Sequence, residues 1–233
     1  MSLDQDALNA QSQHWQTTFN DNPEMYGTDL SASGSYAIDL FKRERLDQIL
    51  ELGAGQGRDT LPFLRSGLAL IALDYAPDAL AEIAAAADAS GLTERLNLRE
   101  HDVRHPLPLP ADSVDAVYSH MLFNMAMSKA ELSNLAKEVH RVLRPGGWHV
   151  YTVRHTGDAH YKTGVPRGEN LTENGGFIVH FFDRPMVELL SDGFSAPEIV
   201  DFEEGGLPRR LWRITQRKTT ETSNANYYKE ISQ

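Results

Sequence analysis

Glycines occupy the alternate positions 53, 55 and 57, directly after an apolar run and directly before a helical pattern. The run ILEL at residues 49–52 has the composition of a buried strand, and DTLPFLRSG after the turn has that of a short helix. Because glycine lacks a Cβ atom, such a turn bends tightly and lets a ligand approach the backbone. The sequence therefore predicts an α/β domain that binds a ligand at this turn.

Strand-like and helix-like segments alternate from residue 46 to residue 154. This alternation implies right-handed crossovers and a parallel sheet with helices on both faces. Beyond residue 154, the polar stretch 155–177 is predicted to be a long loop, and two β-rich runs are predicted to pair as a hairpin. Strands are predicted at 46–52, 68–74, 96–102, 114–120, 148–154, 196–204 and 209–217, and helices at 36–45, 59–67 (with Asp59 as N-cap), 77–91, 129–143 and 184–190.

The composition excludes several classes of chemistry. None of the 233 residues is cysteine, which rules out disulfides, thiolate metal sites and a cysteine nucleophile. A formal net charge of −11 works against nucleic acid as a partner, and the basic cluster between Arg209 and Lys218 is interpreted as a solvated strand face. Neither a secretory leader nor an apolar run long enough for a bilayer is visible, so a cytoplasmic location is expected.

An acidic residue closes each of the first three predicted strands: Glu51, Asp74 and Asp102. Ligands of open α/β sheets bind beyond the carboxyl ends of the strands, where these acids converge. A carboxylate at Asp74 can accept both hydroxyls of a ribose, Asp102 can accept from an adenine amine, and Glu51 suits an ammonium group. A dinucleotide fits less well, because Arg58 stands where the third glycine of the dinucleotide motif belongs. The set predicts a site for an adenosine linked to an amino acid.

Five motifs in this order resemble a known family. They are ELGAGQG at 51–57, LDYA at 73–76, HDV at 101–103, DAVYS at 115–119 and LRPGG at 143–147. The stretch from residue 46 to residue 154 is similar to the class I S-adenosylmethionine-dependent methyltransferases, and the finer pattern resembles the tellurite-resistance and thiopurine group. The resemblance implies a doubly wound, mostly parallel seven-stranded Rossmann-like sheet that ends in an antiparallel hairpin. It also implies S-adenosylmethionine as the cofactor.

The resemblance also implies a set of cofactor-binding residues. The glycine turn would line the methionine portion, Asp74 would bind the ribose, and Asp102 would lie near the adenine. Two aromatic residues of the N-terminal segment are included because an aromatic face attracts a sulfonium. The predicted cofactor-binding residues are Trp15, Tyr26, Glu51, Gly53, Ala54, Gly55, Gly57, Asp59, Asp74, Tyr75, Asp102, Val103 and His120.

Methyl transfer from a sulfonium needs alignment of donor and acceptor more than a strong catalytic group, although a base helps when the acceptor carries a proton. Four histidines at predicted strand ends and loops are candidates: His120, His155, His160 and His180. The spacing from His155 to His160 also occurs in metal sites, but no second cluster supports it, so no metal is expected.

The predicted acceptor is a small molecule methylated on O, N or S. The Asn/Asp-Pro-Pro-Tyr/Phe motif of adenine and glutamine N-methyltransferases does not follow the fourth strand, and cytosine C5 methylation would need a cysteine. Two alternatives stay open: a protein that binds S-adenosylmethionine without catalysis, and a nicotinamide-dependent oxidoreductase. Comparing the shift in melting temperature caused by S-adenosylmethionine with that caused by NAD distinguishes the oxidoreductase from a protein that binds S-adenosylmethionine.

The chain is predicted to form one methyltransferase domain at residues 1–218. Residues 1–45 are expected to form a helical lid, 46–154 the cofactor-binding core, and 155–218 a substrate loop with the closing strands. Residues 219–233 are polar and are expected to be a flexible tail. A monomer or a homodimer is expected.

Overall fold

The computed structural model describes residues 4–21, 29–205 and 209–220. The helices are α1 (Gln5–Asn9), α2 (Gln11–Asp21), α3 (Ala32–Arg43), α4 (Thr60–Arg65), α5 (Pro77–Ala89), α6 (Lys129–Val142) and α7 (Arg184–Leu190), with one 3-10 turn at Thr93–Arg95. The strands are β1 (Gln48–Leu52), β2 (Ala69–Asp74), β3 (Leu96–Glu100), β4 (Val114–Ser119), β5 (Leu143–Arg154), β6 (Val165–Gly168), β7 (Leu171–Asn174), β8 (Phe177–His180), β9 (Glu198–Glu204) and β10 (Arg209–Arg217).

Seven strands form one sheet in the order β3-β2-β1-β4-β5-β10-β9. Strands β1 to β5 are mutually parallel, and β10 runs antiparallel to both β5 and β9. The predicted fold class, including the C-terminal hairpin, is therefore confirmed. The chain builds outward from β1 in one direction through β2 and β3, and in the other through β4 and β5. This reversal opens a crevice at the carboxyl ends of β1 and β4, where ligands of such sheets bind.

Apolar residues that alternate along the strands fill a core on each face of the sheet. Helices α6 and α7 cover one face, where Leu50 and Leu52 point, and α3 and α4 cover the other, where Ile49 points. Helix α5 packs its face of Leu80 and Ile83 onto β2 and β3. Buried on both sides, the central strands hold the glycine turn and the acids on a rigid frame.

Residues 155–177 do not form one long loop, and this prediction is corrected. Strands β6, β7 and β8 form a second, three-stranded antiparallel sheet, with Leu171 opposite His180 and Asn174 opposite Phe177. Strands VPRG and LTEN are short and polar, so they carry no period-two apolar pattern that a sequence analysis can detect. Helix α3 also begins four residues earlier than predicted, because Ser31 caps it by accepting the N–H of Gly34.

The N-terminal helices dock on this second sheet. The side chain of Gln11 donates to the carbonyl of Gly176 and accepts from the N–H of Ile178. The rings of Trp15 and Phe177 lie with centroids 4.6 Å apart. The helical segment predicted at the N-terminus is thus present as α1 and α2, whereas most of the predicted tail (221–233) lies outside the described residues. Within the described ranges, no helix is long and apolar enough to cross a bilayer.

Helix α6 begins with a capping box. Ser128 Oγ accepts the N–H of Glu131, and the carboxylate of Glu131 accepts the N–H of Ser128. We expect Ser128→Ala to lower the free energy of unfolding by about 1 kcal/mol, because the first turn loses a partner for its backbone donor. Urea denaturation measures this loss. Ser133→Ala within the same helix is the control, and an equal loss in both variants would contradict a capping effect.

Candidate functional site

A cavity of about 210 Å³ opens at the carboxyl ends of β1, β2 and β4. A smaller cavity of about 50 Å³ adjoins it, and the two share Trp15, Tyr75, Leu122 and Met125. Together they form one crevice of small-molecule size at the reversal of strand order. The larger cavity is also lined by Glu51, Gly53, Ala54, Gly55, Gln56, Gly57, Arg58, Asp59, Leu61, Asp74, His120 and Met121.

The glycine turn forms one wall of the larger cavity. Gly53, Gly55 and Gly57 all have positive φ angles, of 71°, 52° and 83°, which only glycine adopts without strain. A Cβ atom on Gly57 would lie 2.7 Å from a side-chain carbon of Ile83 on α5. The alternate glycines are thus required by the backbone conformation, and Gly57 also by the close packing of the turn on α5.

Asp74 holds the turn from the end of the neighbouring strand. Its Oδ2 accepts the N–H of Gly55 at 2.8 Å, and its Oδ1 accepts the N–H of Ala76 at 2.9 Å. Burial raises the pKa of Asp74, and the hydrogen bonds from these two backbone groups oppose the rise. The carboxylate lines the cavity and is held in place by backbone donors.

Glu51 is buried at the base of the larger cavity. Thr60 donates its hydroxyl to Oε2 of Glu51 at 2.7 Å. Burial raises the pKa of Glu51 to about 8, against the lowering effect of the Thr60 hydrogen bond, and the charges of Asp59 and Asp74 add to the rise. A protonated acid at neutral pH can therefore ionise when a cationic group of a ligand arrives beside it.

Asp59 precedes α4 but does not cap it, which corrects the predicted role of its side chain. Its Oδ1 accepts the N–H of Ser31, and its Oδ2 accepts the hydroxyls of Ser31 and Tyr118 at 2.8 and 2.6 Å. These three donors draw the carboxylate away from the helix end. Asp59 still lines the cavity, and it fastens the start of α3 to the glycine turn.

The predicted adenine end coincides with the smaller cavity. Asp102, Val103, Tyr75 and Trp15 all line it. Burial alone would raise the pKa of Asp102, but hydrogen bonds from the side chain and backbone of Arg104 outweigh burial and lower it. The sequence analysis missed this ion pair, in which Arg104 Nη2 lies 2.6 Å from Asp102 Oδ2. Tyr26, the other aromatic candidate, lies outside the described residues.

His120 follows β4 and has both ring nitrogens engaged. Nδ1 lies 2.9 Å from Oγ1 of Thr152, and Nε2 lies 3.2 Å from Oε1 of Glu204. Oγ1 of Thr152 already accepts the N–H of Met121 at 2.8 Å, so its hydroxyl proton is available for Nδ1. We therefore assign the tautomer in which Nδ1 accepts from Thr152 and Nε2–H donates to Glu204.

The other three histidine candidates do not line either cavity within the part of the chain that the structure describes. His155 stacks on Trp212 with ring centroids 4.5 Å apart. His160 is partly exposed, and its Nδ1 lies 2.7 Å from a guanidinium nitrogen of Arg154. His180 is fully buried, and its Nδ1 lies 2.9 Å from the carbonyl of Met127. The three histidines therefore contribute to packing and to hydrogen bonds outside the cavities.

Two residues that contact the lining of the crevice, Glu204 and Thr152, could not be found from the sequence motifs. Glu204 ends β9, and its Oε1 accepts from Arg58 Nη1 at 2.6 Å as well as from His120. Both residues lie far from the glycine motif in sequence, and only the sheet order brings them beside His120. Among the described residues, no group of three or more His, Asp and Glu side chains is placed to hold a metal ion.

Residues 49–147 match the model of a family described as a methyltransferase domain. The chain is 34% identical over 111 residues to an uncharacterized methyltransferase, Rv3342, of Mycobacterium tuberculosis. That match covers 48% of this chain and 41% of the relative, so it spans less than half of the relative's length. The domain match contains the glycine turn, Glu51, Asp74 and Asp102.

Two solved structures share the fold. The first is a 1,6-didemethyltoxoflavin N1-methyltransferase of Burkholderia thailandensis, solved with 1,6-didemethyltoxoflavin and S-adenosylhomocysteine bound. It aligns with a TM-score of 0.71 at 21% identity, over 94% of this chain and 92% of that chain. The second is the cyclase SpnF, with a TM-score of 0.68 at 18% identity, over 92% of this chain and 97% of that chain. At these identities the likeness establishes the fold alone.

A glycine turn flanked by acids lies at the point where strand order reverses, which is where proteins of the doubly wound α/β class bind their ligands. On this fold, residues 49–147 match a methyltransferase domain, in agreement with the resemblance of the sequence motifs to the class I S-adenosylmethionine-dependent methyltransferases, whose cofactor is S-adenosylmethionine. The donor set fits that cofactor: Asp74 can accept a ribose diol, and the buried Glu51 can pair with an ammonium group.

Proposed function

We propose that this protein transfers a methyl group from S-adenosylmethionine to an O, N or S atom of a small-molecule acceptor. The observation that carries the proposal is the single crevice in which Glu51, the glycine turn, Asp74 and Asp102 follow one another. Bound S-adenosylmethionine would supply an activated methyl group, so the chain need only hold the two reactants in line and exclude water.

Most of the predicted cofactor-binding residues have a role in this proposal. Asp74 binds the ribose, Glu51 the ammonium of the methionine arm, and the glycine turn the backbone of that arm. Asp102 and Val103 flank the adenine in the smaller cavity. Helix α2 covers the crevice with Trp15, whose aromatic face suits a sulfonium.

A small acceptor is supported by the lining of the larger cavity. Apolar side chains of Leu61, Met121 and Met125 line it beside the polar group of Arg58 and His120. The same cavity, of about 210 Å³, also has to hold the cofactor's arm and ribose, so the space left below the covering helix suits a small molecule rather than a duplex or a folded protein. The net charge of −11 also opposes binding to nucleic acid. The toxoflavin-precursor methyltransferase of the same fold has an acceptor of this size class.

His120 acts in this proposal by contact and orientation, not as a free base. Its Nδ1 accepts from Thr152 and its Nε2–H donates to Glu204, so neither nitrogen offers an unused lone pair. Removal of the ring would take one hydrogen-bond partner each from Glu204 and Thr152, which would keep Arg58 and the N–H of Met121. Methyl transfer therefore depends on alignment, with the acceptor's proton leaving to solvent.

A second candidate function keeps the cofactor but not the methyl transfer. SpnF, which is named as a cyclase, shares this fold over nearly its whole length. Binding of S-adenosylmethionine would then be structural, and turnover would leave its methyl group in place. A nicotinamide-dependent reaction is the third candidate, and Glu51 and Arg58 at the turn disfavour it.

Thermal-shift measurements separate these candidates at the level of the cofactor. We expect S-adenosylmethionine and S-adenosylhomocysteine to raise the melting temperature, and NAD to leave it unchanged. Transfer of a labelled methyl group to a panel of small O, N and S acceptors then distinguishes the enzyme from a binding protein. Stabilisation by NAD alone would refute the proposal.

Measurements of the methyl-transfer rate distinguish two of the four histidine candidates, His120 and His160. We expect His120→Ala to lower the rate with an acceptor from the panel about tenfold, because the acceptor end of the crevice loses an oriented wall. His160→Ala should change the rate less than about twofold, since its ring contacts Arg154 outside the cavity. Steady-state assays with equal amounts of folded protein compare the two. A larger loss in His160→Ala would restore the loop histidine as the active group.

A further inference from the structure

We propose that Thr152 is a positioning residue for the methyl acceptor. Its one hydroxyl fixes the ring of His120 and the backbone of Met121, and these two residues form the wall of the larger cavity against which the acceptor lies. Both residues line that cavity, whereas Thr152 itself is fully buried in β5. This inference rests on the proposed function, because it concerns the acceptor end of the same crevice.

The register of the sheet brings Thr152 to the end of β4. Ser119 pairs with Tyr151 in the parallel ladder of β4 and β5, so the next residue of each strand, His120 and Thr152, lies beside the other. Strand β5 has neighbours on both sides, β4 and β10, and threonine is restricted at χ1 by its branched Cβ. The hydroxyl is therefore carried by a rigid part of the sheet.

The hydroxyl of Thr152 makes two hydrogen bonds of opposite sense. Its oxygen accepts the N–H of Met121 at 2.8 Å, and its proton is donated to Nδ1 of His120 at 2.9 Å. The other ring nitrogen of His120 donates to Glu204. A single group thus fixes the tautomer and the orientation of the ring, and also the peptide that follows it.

Met121 is held in a strained backbone conformation. Its φ is 58°, in the left-handed region that residues other than glycine rarely adopt. The described part of the chain has six such non-glycine residues, and Met121 alone among them is buried and lines a cavity. Such strain persists where the surrounding contacts impose it, and it concentrates at active sites. The hydrogen bond from Met121 to Thr152 is a contact of this kind.

The wall that Thr152 holds has an apolar surface. The thioether chains of Met121 and Met125 and the side chain of Leu61 line the cavity. Both ring nitrogens of His120 are already engaged, so the ring offers the acceptor its carbon atoms. Thioether sulfurs make favourable contacts with aromatic rings. An acceptor with a flat aromatic ring therefore suits this wall, and its alignment with the methyl group depends on how firmly the wall is held.

Thr152→Val tests the proposal, because valine keeps the shape of threonine and removes the hydroxyl. We expect kcat/KM for an aromatic acceptor to fall about 10- to 30-fold, while the Kd of S-adenosylhomocysteine changes less than about twofold. Thr152→Ser keeps the hydroxyl and should recover most of the rate. Thr215→Val is the matched control, because Thr215 is a buried threonine of β10 outside the residues that line the cavities. Its acceptor kinetics should equal those of the unmodified protein.

Two measurements that need no turnover separate positioning from a general loss of stability. Nitrogen NMR should show Nδ1 of His120 without a proton in the unmodified protein and in Thr152→Ser, and a mixture of tautomers in Thr152→Val. The signal is assigned by its loss in His120→Gln. Thr152→Val should also lower the melting temperature less in a Met121→Gly background, because glycine adopts a positive φ without support.

Each failure has its own signature. Unchanged acceptor kinetics in Thr152→Val would overturn the proposal and leave the methyltransferase function standing. An equal loss of S-adenosylhomocysteine affinity and of kcat/KM would also overturn it, since Thr152 would then act on the cofactor or on the whole fold. A preference for aliphatic over aromatic acceptors would contradict the acceptor class. If the unmodified protein bound neither S-adenosylmethionine nor S-adenosylhomocysteine, the proposed function would fail, and this inference with it.

Discussion

Asp74→Ala is expected to weaken the binding of S-adenosylhomocysteine about 100-fold, which is the largest effect that any single cofactor contact should give. The carboxylate would otherwise accept two ribose hydroxyls, and it also holds the N–H groups of Gly55 and Ala76. Its removal therefore costs the ribose contacts and loosens the turn that supports the methionine arm. Isothermal titration calorimetry measures the change in affinity.

Asp78→Ala is the matched control for this prediction, because Asp78 is an exposed acid in the first turn of α5. It should bind the cofactor as the unmodified protein does. Asp74→Asn separates the two roles of Asp74, since the amide keeps one oxygen for the turn but loses the charge. Unchanged affinity in both Asp74 variants would remove the ribose assignment.

The second large effect that we expect is the release of a proton from Glu51 when the cofactor binds. Because burial holds the pKa of Glu51 at about 8, roughly nine in ten molecules carry the proton at pH 7. An ammonium beside the carboxyl group favours the ionised form, so binding should release close to one proton. Calorimetry in buffers of different ionisation enthalpy counts this proton at pH 7.

The sign of the pH dependence follows from this release. Cofactor affinity should rise from pH 6 to pH 7.5, by up to about tenfold per pH unit, because the free protein gives up its proton more easily as pH increases. Glu51→Gln should bind more weakly and show no slope. Glu100→Gln, at an exposed strand end, should keep the slope of the unmodified protein. A slope that survives in Glu51→Gln would assign the proton to another group.

The same group makes folding sensitive to pH. The folded pKa of Glu51 lies above its ordinary value of 4.5, so between pH 4.5 and pH 8 the unfolded chain binds fewer protons than the folded chain. The free energy of unfolding should therefore fall with rising pH, relative to Glu51→Gln, by about 4 kcal/mol at pH 8. Urea denaturation of both proteins across this range measures the difference. Parallel pH profiles would contradict a buried, protonated Glu51.

Much of the fold could be predicted because its signals are local. The alternation of apolar strands with amphipathic helices, the capping box at Ser128 and the β-rich runs of the hairpin each occupy a few consecutive residues. Strands β6 to β8 could not be predicted, because their pairing depends on docking of α1 and α2 rather than on an apolar period. Propensity is a weak guide where tertiary contacts decide the structure.

Some residues of the candidate site could likewise be predicted from local sequence signals, and others could not. The glycine turn and the three acids follow strands directly, so their convergence could be inferred from the parallel topology. The partners that hold the other residues of the site could not be predicted. Ser31 bonds to Asp59, Thr152 to His120, and Glu204 to Arg58, and each pair is far apart in sequence. Histidines on a loop carry no local signal for the direction of their rings. His120 lines the cavity, whereas His155, His160 and His180 do not.

The central claim is that acids around the glycine turn hold the adenosyl compound. A crystal structure of the protein with S-adenosylhomocysteine tests this claim most directly. We expect both ribose hydroxyls within hydrogen-bond distance of the Asp74 carboxylate, and the homocysteine arm along residues 53–57. Ribose placed away from Asp74, with the arm outside the turn, would contradict it.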